Sequence, residues 1–374
     1  MRIHLIGQAN LPSLKIYNAN PFTQKIINFA KMMSNAGHKI FFYGVESSEV
    51  MCHQNIPTVP FELWNTYYGS FDWKNFYFKK DTTDIVHKTF VENTVKAIKE
   101  NYKKDDVIVF FDGAENKKII DKLSETIKTT HVEGGIGYGS SPWARFKVFE
   151  SYAVFHSHYG QAALLDHADS LESIVIPNFL DPDDFYPAAN PKRDYYLFIG
   201  RLIPNKGVEI AIETTRKLSK PLVIAGVYNP RNTGFSAFPE HVSFIGHADN
   251  SVRLNLYQNA IATFVPTLYH EPFGNVAVES MLCGTPVITT DTGAFTENVK
   301  NGLNGFRCRT MKEFIKASEN VSRLYSDDIV QYASSRFTLK NIEPRYTNYL
   351  IECIDHNKVS RPVKSKFPTD FYTN

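Results

Sequence analysis

Short apolar runs alternate with amphipathic segments from the beginning of the chain. Arg2–Ile6 has the composition of a buried strand, and residues 39–43 form a second run of the same kind. Between them, apolar side chains recur at helical spacing and predict a helix that Thr23 caps and Gly37 ends: Ile26, Phe29, Ala30 and Met33. This order of strand, helix and strand predicts a parallel sheet with ligands at the carboxyl ends of its strands.

The remainder of the first half continues the same pattern. A helix over about residues 84–102 precedes an apolar strand at residues 107–111, and the next strand is predicted at residues 128–131. His131 and Glu133 then stand at a strand end, where ligand-binding residues are expected in open α/β sheets. Two interpretations of His131 stay open, a structural histidine and one that contacts the substrate.

Residues 61–80 are rich in aromatic side chains: Phe61, Trp64, Tyr67, Tyr68, Phe71, Trp73, Phe76, Tyr77 and Phe78. One interpretation is ordinary packing in a core or a lid, and a second is a platform for an acceptor sugar. A third is a weak peripheral contact with a membrane, in which Lys79 and Lys80 would take part. The sequence leaves all three open.

A segment rich in Pro, Asp and Asn at residues 176–190 separates two halves, and the pattern of strands and helices begins again after it. Strands are predicted at residues 195–199, 221–225, 242–245, 261–265 and 286–289, with helices at 208–218, 251–259, 274–283, 296–300 and from 311 to 356. This order predicts a second parallel sheet with helices on both faces.

We therefore expect residues 1–185 to form one domain and residues 186–340 a second. A C-terminal helix over about residues 340–374 is expected to pack back on the first domain. Domain closure is expected to use a hinge near residues 178–191.

Composition narrows the class of protein. The 374 residues are too many for one ordinary core and suit two domains of about 150 to 200 residues. A formal net charge of +2, from 41 basic and 39 acidic residues, gives no reason to expect nucleic acid as a partner. The four cysteines are scattered and lack the Cys-x-x-Cys spacing of a zinc or redox site, so we expect the reducing cytoplasm. The first apolar run ends at Gly7 and is too short for a signal peptide or a transmembrane helix.

The stretch at residues 266–284, PTLYHEPFGNVAVESMLCG, carries the strongest chemical signal. It places Glu271 and Glu279 eight positions apart, with Gly274 and Asn275 between them where a helix should begin. The unpaired N–H groups of a helix N-terminus hold anions, so this turn predicts a phosphate site. Carboxylates repel phosphate, and both glutamates are therefore predicted to accept hydrogen bonds from hydroxyl groups on either side of it. Glu279 lies roughly 7 Å along the helix, which suits a nucleoside diphosphate sugar.

A second set of candidates lies on the turn that follows the strand at residues 195–199. Arg201 and Lys206 predict a clamp for a diphosphate, because Arg offers a bidentate fork and Lys a mobile point charge. The same two cations also fit an ordinary solvated surface. Their combination with the glutamate stretch favours the clamp.

These motifs resemble the retaining GT-B glycosyltransferases of glycosyltransferase family 4, also described as glycosyl transferases group 1. The resemblance lies in Gly200-Arg201-x4-Lys206-Gly207, in Phe244-Ile245-Gly246, and in Glu271-Pro272-Phe273-Gly274-x4-Glu279. It implies an α/β fold in which two Rossmann-like, doubly wound parallel-sheet domains face a central cleft.

The resemblance also implies roles for individual residues. Arg201 and Lys206 would hold the diphosphate, Glu271 would contact the donor sugar, and Glu279 would bind the ribose. His131 corresponds to the active-site histidine of the family. Further donor-binding residues are implied on the loops around the cleft: Gly7, Gly200, Ile245, Gly246, Phe273, Gly274, Asn275 and Val276.

The activity implied is transfer of a sugar from a nucleoside diphosphate sugar to a glycan, lipid-linked or other hydroxyl acceptor, with retention of anomeric configuration. A donor phosphate oxygen would take the acceptor proton, and no metal or other cofactor would be required. Together with the cysteine pattern and the aromatic segment, this activity leads us to expect a cytoplasmic protein, at most peripheral to a membrane. Two other interpretations stay open: a nucleotide-sugar epimerase of the same architecture, and a non-catalytic nucleotide-sugar-binding protein.

Overall fold

The computed structural model describes residues 1–74, 78, 80–137, 142–163, 172–228 and 237–358, which form two parallel sheets flanked by helices. The strands of the first sheet are β1 Arg2–Ile6, β2 Lys39–Val45, β3 Gln54–Val59, β4 Val107–Phe110, β5 Thr130–Ile136, β6 Phe146–Phe149 and β7 Ser173–Val175. Their spatial order is β3-β2-β1-β4-β5-β6-β7. The strands of the second are β8 Tyr195–Ile199, β9 Leu222–Ala225, β10 Val242–Phe244, β11 Ala260–Val265, β12 Val287–Thr290 and β13 Gly305–Cys308. Their spatial order is β10-β9-β8-β11-β12-β13.

Helices cover both faces of each sheet. Along the first half, the described helices are α1 Pro21–Asn35, α2 Phe61–Tyr68, α3 Ile85–Asn101, α4 Lys117–Ser124 and α5 Tyr152–Ala163. Those of the second half are α6 Val208–Lys217, α7 Asn250–Asn259, α8 Asn275–Leu282, α9 Phe295–Asn298, α10 Met311–Asn320, α11 Ser326–Phe337 and α12 Leu339–Lys358. The predicted helical ending at residues 311–356 is thus divided into three helices.

Burial on both faces explains why the strands read as continuous apolar runs. In β4, Val107 and Val109 belong to one hydrophobic core, while Ile108 and Phe110 belong to the core on the opposite face. The second sheet separates two cores in the same way. The described strand pairs within both sheets are parallel, so the carboxyl ends of each sheet lie along one edge. The predicted pair of parallel sheets is confirmed.

The last described helix, α12, returns to the first half of the chain. Its apolar residues Ile342, Tyr346 and Leu350 lie in a core of the first sheet. The Tyr346 ring meets Phe29 of α1 and Phe179 edge-on, with centroid distances of 5.3 and 5.6 Å. The expected helix over residues 340–374 is therefore present as far as Lys358, and residues 359–374 lie outside the described residues.

The N-terminus of α1 differs from the prediction. Asn20, not Thr23, caps the helix, because the Asn20 Oδ1 atom accepts hydrogen bonds from the N–H groups of Phe22 and Thr23 at 3.0 Å each. The Thr23 hydroxyl instead donates to Gln8 Oε1 at 2.8 Å. Proline at the first helical position, Pro21, is consistent with this earlier start.

The predicted end of β5 is also wrong. The strand runs from Thr130 to Ile136, so His131 is its second residue and lies near its amino end. Gly134 and Gly135 remain in the strand because the Phe111 ring occupies the space of their missing side chains: an added Cβ would lie 2.8 and 2.9 Å from that ring. Strand β13, Gly305–Cys308, is a further element that the sequence pattern did not predict.

The aromatic segment serves more than one purpose. Trp64 and Tyr68 are buried in the core beneath α2 and α3, as ordinary packing would have them. Trp73 and Phe78 instead line the cleft between the sheets. Phe76, Tyr77 and Lys79 lie outside the described residues. Among the helices described, none combines the length and apolarity that a membrane crossing requires.

Candidate active site between the two sheets

The carboxyl edges of the two sheets face a cavity of about 770 Å³. This volume falls within the roughly 300 to 1,000 Å³ that ligand pockets usually occupy. The first half contributes lining residues between Gln8 and Glu150, and the second half contributes Arg201, Lys206 and the stretch from Tyr269 to Glu279. The predicted glutamate stretch and the predicted cationic turn therefore meet at one cavity.

Helix α8 begins at the wall of this cavity. Gly274 is its N-cap residue, and Gly274, Asn275 and Val276 all line the cavity. The amide groups of the first turn of a helix have no partner within that helix and favour an anion. Asn275 is fixed by Asn178 of the interdomain segment, whose Nδ2 donates to Asn275 Oδ1 at 2.8 Å. Phe273 lines the cavity too and packs edge-on against Phe337.

Lys206 and Glu271 form an ion pair at the same wall. The Lys206 ammonium lies 3.1 Å from Glu271 Oε2 and also donates to the Tyr269 hydroxyl. The turn that carries Lys206 is fastened to the glutamate stretch, since the Leu268 N–H donates to the Asn205 carbonyl at 2.9 Å. Burial, and then the charge of Glu271, raises the pKa of Tyr269 well above its usual range, so this phenol stays protonated. Arg201 and Gly200 line the cavity beside this group.

Two residues of α7 that sequence reasoning missed fix the Glu279 carboxylate. Arg253 forms an ion pair with Glu279, and the Tyr257 hydroxyl donates to Glu279 Oε2 at 2.7 Å. Both described contacts use Oε2, which leaves Oε1 as the oxygen that can accept a bond from a ligand. The signal in the sequence was the spacing: residues 253 and 257 are four apart on a predicted helix and share one face.

The opposite wall contains a second buried ion pair, formed by Lys25 of α1 and Glu150 at the end of β6. The Lys25 ammonium also donates to the Gly135 carbonyl at 3.0 Å, so it ties together the carboxyl ends of β5 and β6. Only 5% of Glu150 is exposed, and burial raises the pKa of its carboxyl group, opposed by Lys25 and assisted by Glu271. Sequence reasoning assigned no role to this pair, because its members lie far apart in the chain.

The structure brings some predicted residues to the cavity and not others. His131 does not line it: its ring stacks on Trp143 at a centroid distance of 5.9 Å, and burial lowers its pKa to about 4. Gly7 also lies outside the lining, although its neighbour Gln8 is part of it. Ile245 and Gly246 lie immediately before the lining residues His247 and Ala248. Among the described residues, no three His, Cys, Asp or Glu side chains gather as potential metal ligands.

Comparison with known proteins supports the resemblance. Residues 181–336 match the family described as glycosyl transferases group 1. Glycogen synthase of Mycobacterium tuberculosis is 35% identical over 150 residues, which cover 37% of this chain and 36% of that protein. The chain spans about a third of the length of the curated relatives it matches first.

Solved structures extend the likeness across the whole fold. Sucrose-phosphate synthase of Thermosynechococcus elongatus superposes with a TM-score of 0.66 at 17% identity, covering 95% of this chain and 99% of that one. HepE of Anabaena, solved with UDP and glucose, gives a TM-score of 0.65 at 16% identity, with 94% and 99% covered. At this identity the likeness establishes the fold, which is the GT-B arrangement of two Rossmann-like domains.

Proposed function

We propose that this chain is a glycosyltransferase with a nucleoside diphosphate sugar as donor, because residues 181–336 match the glycosyl transferases group 1 family. The acceptor is a hydroxyl group, and the anomeric configuration of the transferred sugar is retained. No metal or other cofactor is required.

One observation carries this proposal: Lys206, Glu271 and the N-terminus of α8 meet at a cavity that Arg201 and Glu279 also line. The α8 amides and the two cations provide a place for a diphosphate. Glu279 lies about 7 Å along the helix from its N-cap residue, at the distance expected for a ribose. Glu271 lies on the other side, where the donor sugar would be. HepE, whose fold this chain shares, was solved with UDP and glucose.

Charge stabilisation is the main catalytic contribution that this arrangement offers. As the bond between the sugar and the diphosphate breaks, negative charge grows on the phosphate oxygens beside Arg201 and Lys206. Lys206 is paired with Glu271 at 3.1 Å, so the donor shares this cation with the carboxylate. A phosphate oxygen of the leaving group takes the proton of the acceptor hydroxyl as the new glycosidic bond forms. Glu271 orients the sugar for attack on the same face.

The first test uses the full chain with UDP-, ADP- and GDP-sugars and measures hydrolysis of the donor in EDTA-containing buffer. We expect slow release of nucleoside diphosphate from at least one donor. Arg201→Ala and Lys206→Ala should each lower kcat/KM for that donor by about 100-fold, the typical effect of removing one charge-stabilising group. Glu271→Gln should mainly lower kcat.

Lys220→Ala is the matched control, because Lys220 is an exposed lysine outside the cavity lining. Full activity in all three cavity variants would disprove the site. Binding without turnover would identify a binding protein, and release of an epimer would identify an epimerase. An activity that EDTA abolishes and Mg²⁺ restores would disprove metal independence. The anomeric configuration of the first product, read by proton NMR, tests retention.

A further inference from the structure

The buried carboxylate of Glu150 is built into the cavity wall that faces the proposed donor site. Glu150 follows β6 directly, at the carboxyl edge of the first sheet, and lines the cavity. Glu271 lines the same cavity, and its charge adds to the rise in the pKa of Glu150 that burial causes. A buried ionised group at such a position requires partners on both oxygens or a ligand on one of them.

The two oxygens of this carboxylate have different surroundings. Oε1 lies against the Lys25 ammonium, which in turn is anchored on the Gly135 carbonyl at 3.0 Å. Oε2 has no hydrogen-bond partner among the described residues and lies over Gly137, another residue of the cavity lining. A Cβ at residue 137 would lie 2.2 Å from Oε2 and 3.0 Å from Pro272 Cβ. Any residue other than glycine at this position would therefore displace Oε2. Lys25 therefore fixes the carboxylate, and Gly137 keeps Oε2 beside the loop that carries Glu271.

The rest of this wall is polar and carries no excess positive charge. Its two described lysines are both paired with buried carboxylates, Lys25 with Glu150 and Lys80 with Asp112 at 2.8 Å. The described lining also includes six carboxamides, which carry no charge: Gln8, Asn10, Asn18, Asn20, Gln24 and Asn28. Trp73 and Phe78 add aromatic surface, on which the C–H face of a sugar ring can pack. Among the described lining residues of this wall, a phosphate would meet a carboxylate oxygen and no unpaired lysine.

We propose that Glu150 binds the acceptor: its Oε2 atom accepts a hydrogen bond from a hydroxyl group of an uncharged sugar, and this wall disfavours phosphorylated acceptors. The proposal rests on the function proposed above, of which it specifies the acceptor class. Glu150 positions the hydroxyl group toward the donor and takes no proton. Lys25 is a positioning residue that acts through Glu150.

The test compares acceptors at saturating concentration of the donor found above. The acceptors are uncharged hexoses and disaccharides, each tested beside its 6-phosphate. The wild-type chain should transfer to at least one uncharged sugar with a kcat/KM at least 10-fold above that of its phosphorylated counterpart. Glu150→Gln should raise the KM for that sugar about 10-fold. It should also reduce the preference for the uncharged sugar over its 6-phosphate, because Lys25 then loses its counter-charge. Donor hydrolysis without acceptor should fall by a smaller factor than transfer to that sugar.

Glu172→Gln is the matched control, since Glu172 is a carboxylate bonded to Arg145 Nε at 2.9 Å and lies outside the cavity lining. Glu150→Asp should recover part of the lost acceptor affinity, which a merely structural role would not produce. An unchanged acceptor KM in Glu150→Gln overturns the proposal, as does a matching loss of donor hydrolysis, which would place Glu150 on the donor. Preference of the wild type for the phosphorylated sugar, or failure to use any uncharged sugar, also overturns it. Absence of donor hydrolysis in the wild type would instead refute the proposed function.

Discussion

At the scale of single residues, both glutamates of the glutamate stretch at residues 266–284 already form ion pairs within the protein. Glu271 is paired with Lys206, and Glu279 with Arg253. The two pairs differ in burial: the side chains of Glu279 and Arg253 are 6% and 12% exposed, against 11% and 20% for Glu271 and Lys206. The deeper pair is thus part of the framework that fixes Glu279, while the shallower one can exchange partners when a donor binds.

Removing one member of the deeper pair should therefore cost stability. Arg253→Met leaves the Glu279 carboxylate buried without its cation, and we expect the free energy of unfolding to fall by about 3 kcal/mol. Tyr257→Phe removes one hydrogen bond to the same oxygen and should cost about 1 to 2 kcal/mol. Urea denaturation followed by circular dichroism measures both. Equal and small effects of the two substitutions would show that Arg253 does not compensate the buried charge.

His131 should act on stability through its titration. Burial lowers its pKa from 6.5 to about 4, so the unfolded chain binds a proton below pH 6.5 that the folded chain refuses until about pH 4. The stability of the fold should accordingly decrease as the pH falls through this window, by up to about 3 kcal/mol in total. In His131→Phe, the free energy of unfolding should fall less between pH 7 and pH 5 than in wild type. The same pH dependence in both proteins, or loss of donor hydrolysis in the variant at pH 7, would contradict this role.

Which site residues the sequence reveals depends on how local their signal is. Glu271, Gly274 and Glu279 belong to one continuous stretch, so their spacing on a loop and a helix can be read directly. Lys25 and Glu150 lie 125 positions apart, and only the meeting of α1 with the end of β6 makes them a pair. Periodicity contains no information about such a meeting.

At the scale of elements, two strand-to-helix turns meet at the site and hold each other in place. The turn between β8 and α6 carries Lys206, and the turn between β11 and α8 carries Glu271. Gly207 lies at their contact with a φ of +68°, and a Cβ there would lie 2.1 Å from the Pro266 carbonyl oxygen. The close approach of two backbones therefore determines where the Lys206 ammonium points.

Gly207→Ala should separate these turns. A left-handed conformation costs a residue with a Cβ about 1 to 2 kcal/mol, and the clash with a backbone oxygen adds to it. We expect lower thermal stability and at least a 10-fold fall in donor hydrolysis, because Lys206 is displaced from Glu271. Gly302→Ala is the control, because Gly302 has a φ of +79° and open space around its Cβ position. This variant should lose stability but keep its donor hydrolysis. Similar activities of the two variants would show that the contact with Pro266 does not orient the turn.

Element boundaries were predictable where glycine or a polar cap interrupts an apolar run, as at β8, whose bounds match the prediction. They were not predictable where glycine serves packing. Gly134 and Gly135 lie after the strand predicted at residues 128–131, yet they belong to β5, where the Phe111 ring lies against them. That misreading placed His131 at the wrong end of its strand, and with it one candidate of the active site.

At the scale of the whole molecule, polar contacts cross between the two halves around the cavity. Asn18 Nδ2 donates to the Ala248 carbonyl at 3.2 Å and to Asn250 Oδ1 at 3.1 Å. These contacts are polar and partly exposed, unlike the apolar packing of α12 on the first sheet. Contacts of this kind form and break at little cost, as closure about the predicted hinge near residues 178–191 requires.

Glu297 makes the most specific of these crossings. Its carboxylate, from α9 of the second half, accepts hydrogen bonds from the N–H groups of Tyr152 and Ala153 at 2.9 and 2.7 Å, and so caps α5 of the first half. Only Ser151 separates Glu150 from helix α5. The cap therefore links the relative position of the two halves to the cavity wall that carries Glu150. An anion at a helix N-terminus is stabilising by about 0.3 to 1 kcal/mol when exposed, enough to bias an equilibrium between open and closed forms.

Glu297→Ala should shift that equilibrium toward open forms. Without the carboxylate, the first turn of α5 bonds water equally well when the halves separate, so closure loses part of its driving force. We expect a larger radius of gyration by small-angle X-ray scattering and a donor KM about 2- to 5-fold higher, which corresponds to the same range of free energy. Glu352→Ala, an exposed glutamate on α12, should change neither quantity. If Glu297→Ala also left both unchanged, the cap would be a local feature of α5, and the arrangement of the two halves would depend on the apolar contact of α12 instead.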